Sequence, residues 1–141
     1  MLSIERDRTQ DTPLRDRPQV TLADLNFDGC LDVRVPRLIA PSGNSIDDVW
    51  ICDPASARYV FNATLSRAPR LEIDAERREL RGWSKAGGGE GDTIVYRWKG
   101  LAAILVRQES IRFNSQKACF EVVVKERRGG RMVETQRSCR E

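Results

Sequence analysis

The residues Asp24-Leu25-Asn26-Phe27-Asp28-Gly29-Cys30-Leu31-Asp32 hold the densest set of metal-ligating side chains in the chain. Their pattern, D-x-N-x-D-G-x-x-D, follows the opening positions of an EF-hand-type calcium loop. Oxygen side chains at alternate positions can converge on one ion, and Gly29 supplies the sharp turn. Asp24, Asn26, Asp28 and Asp32 are the expected side-chain ligands of Ca2+. Cys30 would ligate through its backbone carbonyl, leaving its sulfur free, and Leu31 is an apolar anchor. Acceptor side chains this close repel one another without a cation. The match ends at Val35, where an EF-hand carries a bidentate Glu, so a further ligand is expected from elsewhere, with Asp47, Asp48 and Asp92 as candidates. Nothing nearby supplies a nucleophile or a second metal, so the ion's role would be structural. The competing reading of the same residues is an Asp-Gly hairpin turn with solvated carboxylates.

Cys30, Cys52, Cys119 and Cys139 are the four cysteines. No C-x-x-C occurs, which argues against a zinc ribbon or a thioredoxin-like motif, and the wide spacing suits two disulfides with three possible connectivities. Gly129-Gly130 reads as a two-residue hairpin turn. That hairpin sets Cys119 opposite Arg140, one step from Cys139, and a one-residue bulge would bring the two cysteines into range. Cys119–Cys139 and, by elimination, Cys30–Cys52 are therefore expected. Two disulfides imply an oxidising compartment; the competing reading of the same residues is four reduced, partly buried thiols in a cytosolic protein. The opening residues MLSIERDRTQDTPLRDRP contain no apolar core of a signal peptide; the expectation is that a signal has been removed ahead of Met1.

The chain has 141 residues, 40% hydrophobic and 32% charged, with a formal net charge of +3, a globular composition rather than a disordered or membrane one. It has no histidine, which removes Ser-His and Cys-His nucleophilic mechanisms and every zinc site that needs imidazole. Twenty of its 24 basic residues are arginine, scattered among acidic residues rather than gathered in a stripe. Nucleic-acid binding is not expected on that pattern, nor is membrane insertion, since no apolar run approaches the ~20 residues of a span. The adjacent carboxylates Asp47 and Asp48 would point to opposite faces of a strand and make a poor acid/base pair, so an enzyme is not expected.

These residues must be positioned by β-structure. Leu31, Val33 and Val35 alternate with Asp32 and Arg34, the period of a half-buried strand. Further runs follow at Val49–Cys52, Tyr59–Phe61, Leu71–Ile73, Leu80–Trp83, Thr93–Trp98, Ala102–Phe113 and the closing hairpin, with turn residues between them. Only Ala55–Ala57 and Thr64–Arg67 suit short helical turns. The fold class is all-β: a single-domain antiparallel meander of short strands, sandwich or propeller-like, with the calcium loop between strands. Residues 1–18 form an N-terminal extension or irregular edge strand; residues 19–141 form one β-domain ending in a disulfide-linked hairpin. Trp50, Tyr59, Phe61, Tyr96 and Trp98 lie in strands and are expected in the core.

Several segments together resemble a known family: Asp24–Gly29 with Leu31–Val35, Val49–Pro54 with Arg58–Asn62, Leu71–Asp74, and Tyr96-Arg97-Trp98 after a glycine-rich stretch. They are similar to the small secreted bacterial β-proteins that carry an FG-GAP/VCBS-like calcium loop, over roughly residues 20–110. That group includes periplasmic lysozyme inhibitors, some of them immunity proteins that guard xanthomonad-type bacteria against their own type IV-secreted peptidoglycan hydrolases. The resemblance implies a periplasmic, calcium-stabilised β-domain that antagonises a bacterial effector by plugging a hydrolase cleft. Cys30 and the hairpin from Cys119 depart from the family pattern. An inhibitor of this kind needs a protruding rigid loop with donors aimed at catalytic carboxylates. Trp83, Ser84, Lys85, Gly87, Gly88, Gly89 and Glu90, in a glycine-rich loop, are the expected partner-binding residues, with a lysozyme-like peptidoglycan hydrolase as partner. The alternative is a calcium-stabilised glycan- or protein-binding surface module without inhibitory activity.

Overall fold

A computed structural model describes residues 19–141; the segment 1–18, expected as an extension or edge strand, lies outside the described residues. Ten strands follow in order: β1 (Thr21–Ala23), β2 (Asp32–Ile39), β3 (Ser45–Asp53), β4 (Arg58–Phe61), β5 (Glu72–Asp74), β6 (Glu79–Gly87), β7 (Glu90–Lys99), β8 (Ala102–Asn114), β9 (Cys119–Arg128) and β10 (Arg131–Arg140). They form two antiparallel meanders, a four-stranded sheet β1-β2-β3-β4 and a six-stranded sheet β10-β9-β8-β7-β6-β5. Spatial order equals chain order within each sheet, as runs joined by short turns dictate. The all-β fold expected from alternation is what forms.

The sheets share one core. Val49 and Ile51 come from β3, Leu80 from β6, Tyr96 from β7 and Ala103 from β8, joined by Leu25, Leu65, Ala68 and Leu71 from the connections. Burying each large aliphatic side chain contributes about 1.5–3 kcal/mol. The crossover between sheets carries a short 3-10 helix, Leu65–Arg67, within the span expected to turn. Asn62 Oδ1 accepts from the Leu65 N–H at 2.9 Å, and Ser66 Oγ accepts from the Val49 N–H at 2.9 Å, so its polar residues satisfy the core backbone. Pro69 then bridges the sheets: it pairs with Ile46, and its carbonyl accepts from the Trp83 N–H at 3.0 Å.

Both expected disulfides form, with Cα–Cα separations of 5.9 Å for Cys30–Cys52 and 5.7 Å for Cys119–Cys139. A bulge is present in the last hairpin, between Glu134 and Gln136, but it moves the register the other way from that expected. Cys139 lies opposite Glu121, so the bridge joins diagonal rather than opposed positions.

Three further expectations are corrected. Alternation placed Asp32 on a solvent face, yet it is fully buried, while Leu31 is half exposed. The glycine-rich loop is a strand continuation: Ser84–Gly87 belong to β6 and Glu90 opens β7. The aromatic residues divide. Tyr96 is buried and Trp98 half-buried, but Tyr59 and Phe61, on edge strand β4, are exposed.

Candidate functional site

The Asp-rich segment links β1 to β2 and is wound around its own carboxylates. Asp24 accepts from the Asp28 N–H at 3.2 Å and the Gly29 N–H at 2.8 Å; Asp28 accepts from the Cys30 N–H at 2.9 Å. Phe27 (φ 62°) and Gly29 (φ 83°) take left-handed conformations, which curl the main chain inward. The loop is pinned from a distance. Trp98 Nε1 donates to the Leu25 carbonyl at 2.8 Å, Arg78 donates to the Phe27 carbonyl at 3.1 Å, and the disulfide ties Cys30 to β3.

Asp32 serves the main chain. Its Oδ2 accepts from the Leu25 N–H at 2.7 Å and its Oδ1 from the Cys52 N–H at 2.8 Å, so it clips the start of the loop to the end of β3. Burial raises its carboxyl above the usual carboxylate range; the two N–H donors pull the other way, and Asp28 and Asp24 add to the rise.

Within the loop the side chains of Asn26 and Asp28 meet, while Asp24 accepts only from main-chain N–H groups. Asn26 Nδ2 donates to Asp28 at 3.2 Å, while Asn26 Oδ1 is buried and accepts no hydrogen bond. An orphaned buried acceptor on a side chain that touches the Asp28 carboxylate suits a hard cation with oxygen ligands. Among the described residues, no three His, Cys, Asp or Glu side chains gather as a metal cluster, so any cation here would rely on the Asn26 amide and main-chain oxygen as well. The three outlying candidates are engaged elsewhere: Asp47 with Arg34, Asp48 with Arg37 and Asp92 with Arg112, each at 2.8–2.9 Å.

The expected partner-binding residues lie on the β6–β7 hairpin of the other sheet. Gly87 faces Glu90, and Gly88-Gly89 is the two-residue turn between them. Both turn residues have positive φ (61° and 85°), the requirement of the turn type that matches strand twist. The tip is braced rather than loose. Glu90 accepts from the Phe113 N–H at 2.9 Å. Asn44 bonds both main-chain polar groups of Lys85, donating to its carbonyl at 3.0 Å and accepting from its N–H at 3.1 Å. Trp83 is a root, not a tip: the Arg70 guanidinium stacks 4.0 Å from its ring centre and Lys85 Nζ lies 5.5 Å from it. Ser84 sits opposite Asp92 within the ladder. The anchors Asn44 and Arg78 carried no sequence signal, and Trp98 was legible only as a strand aromatic, since the three act over 41, 51 and 73 residues of chain.

No protein-family model matches the chain, and no curated protein matches it. Among solved structures it is similar to a Xanthomonas type IV secretion system related protein, at 23% identity with a TM-score of 0.69. The likeness covers 83% of this chain and 57% of that one, so the chain spans a little over half of that protein's length. At this identity the correspondence shows a common fold. Two disulfides suggest folding outside the cytoplasm. Among the described residues no helix is long and apolar enough to cross a membrane.

Proposed function

We propose that the chain is a periplasmic or secreted immunity protein, not an enzyme, that inhibits a lysozyme-like peptidoglycan hydrolase by inserting the β6–β7 hairpin into its active-site cleft. The observation that carries this reading is the braced, exposed glycine turn, where no side chain at residues 87–89 holds a partner away from the main chain. The shared fold with a secretion-system related protein of Xanthomonas supports the context. The test is cell-wall lysis by a panel of lysozyme-like hydrolases with the purified chain added. Stoichiometric inhibition of at least one is expected. No heavy atom lies within 4 Å of a Cβ placed on Gly88. Gly88→Trp should therefore fold, losing only about 1–2 kcal/mol to the left-handed backbone, and should inhibit at least tenfold more weakly. No inhibition across the panel at tenfold molar excess would overturn the reading. The exposed β4 edge, Tyr59 to Phe61, favours the second reading, a surface module binding glycan or protein without inhibition. Loss of glycan binding in Phe61→Ala would support it.

The same proposal gives the Asp24–Asp32 segment a calcium ion. Asp24, Asp28, the Asn26 amide oxygen and the Cys30 carbonyl would hold it. Its charge would offset the two carboxylates and satisfy the orphaned Asn26 oxygen. With few protein ligands, the affinity expected is that of extracellular modules, Kd about 10⁻⁴–10⁻³ M. Calcium at ten times Kd should add about 1.4 kcal/mol and raise the melting temperature by a few degrees. Chelator, or Asp24→Ala, should abolish that increment, read by thermal unfolding. Equal melting temperatures with calcium and with chelator would remove the ion.

A further inference from the structure

The face of the six-stranded sheet turned away from the core carries a groove of about 680 Å³ with an arginine-rich lining. Register assembles it. Arg81 on β6 lies opposite Val95 on β7, and Val95 lies opposite Arg107 on β8. Opposed residues share a face, so the two arginines project to the same side, about 10 Å apart across two strand spacings. Val95, 6% exposed, is the floor between them. Arg97, two residues further along β7, joins the same face, and Arg77 and Arg127 close the ends.

The lining itself carries more positive than negative charge. Glu79 and Glu126 are the acidic residues of the lining against five arginines. Arg97 donates twice to one oxygen of Glu79, at 3.0 and 2.7 Å. Arg81 pairs with Asp74 at 3.3 Å and Arg107 with Glu109 at 3.5 Å, each through one guanidinium nitrogen and at longer range than Arg97 with Glu79. The Arg81 Nε is buried and donates to nothing among the described residues, whereas Arg127 donates to the Leu105 and Gly130 carbonyls, at 2.6 and 2.9 Å, and so keeps its charge without a carboxylate. Each guanidinium offers five donors in a planar fork that matches carboxylate and phosphate oxygens.

We propose that this groove is a binding site for an oxyanion carrying two or more phosphate or carboxylate groups, held between Arg81 and Arg107 with Arg97 beside them. The site does not depend on the inhibitor reading. Two sources present such chemistry, a soluble polyanion and the headgroups of an anionic lipid surface. Titration calorimetry of the whole chain with tripolyphosphate and with citrate, in calcium-free buffer, tests the first. Sedimentation with phosphatidylcholine vesicles containing one-fifth phosphatidylglycerol tests the second. Saturable binding in either arm is expected, weakened about tenfold or more in the variant Arg81→Gln/Arg107→Gln and unchanged in Arg137→Gln on the last hairpin. Arg107→Lys, which keeps the charge and loses the fork, should bind with intermediate strength, and it serves as the groove variant if the double substitution does not fold. Binding in the vesicle arm alone assigns the headgroup source, and binding in the soluble arm alone assigns the free anion. Absence of binding in both arms overturns the proposal. So does binding that the groove variants leave unchanged, or that Arg137→Gln weakens equally.

Discussion

Replacing Asp32 with alanine is expected to cost about 3–5 kcal/mol, a large share of the ~5–15 kcal/mol that holds a domain together. The side chain is fully buried and accepts from two main-chain N–H groups, those of Leu25 and Cys52, at 2.7 and 2.8 Å. Alanine leaves both donors buried and unpaired, each costing about 1–3 kcal/mol, and opens a small void besides. Asp32→Asn keeps one acceptor and turns an NH2 group toward the other N–H. It also removes a buried charge, which offsets part of the loss, so about 2 kcal/mol is expected. Urea unfolding should rank wild type above Asn and Asn above Ala. The same series separates two roles for one residue. If Asp32 serves the main chain, the alanine deficit persists undiminished in chelator. A deficit that vanishes in chelator would return Asp32 to the ligand set of the calcium loop.

Asp32 also marks the limit of what alternation can reveal. The period of Leu31 to Val35 located β2, but it put Asp32 outside and Leu31 inside, because period two knows nothing of a carboxylate wanted by backbone donors on another strand. Local signals served well where the cause was local. The Gly129-Gly130 turn set the last hairpin, and that hairpin set its disulfide, although the bulge moved the other way. The glycines at 87–89 misled, since they read as a loop when positive φ at Gly88 and Gly89 closes a tight turn and lets the ladder run on.

The arginine groove was hidden for the opposite reason. Its residues run from Arg77 to Arg127 and look scattered along the chain. Strand register brings them to one face, so a pattern that argued against a basic stripe in sequence conceals one in space. The calcium loop stands between these cases: its spacing was visible at once, but which oxygens remain available depended on where the main chain drew Asp32.

Removing the two disulfides one at a time should give similar losses of global stability but different local consequences. The bridges close comparable stretches of chain, with separations of 22 and 20 residues, so the loop-entropy contribution is about 3 kcal/mol for each. Their places differ. Cys119–Cys139 fastens β10, an edge strand paired only with β9, at the end of the described chain. Cys30–Cys52 fastens the Asp-rich loop to β3, one of whose residues, Ile51, lies in the core. In Cys119→Ser/Cys139→Ser, hydrogen exchange should therefore speed up selectively in β10, because an edge strand can open without the core. In Cys30→Ser/Cys52→Ser, faster exchange should appear at the N–H groups of Leu25, Asp28, Gly29 and Cys52, which the loop carboxylates hold. The calcium increment should shrink in that variant alone, since binding would then have to order the loop as well. Equal exchange profiles for the two variants would mean that the bridges act only through the unfolded chain, and that the loop is held without its covalent tie.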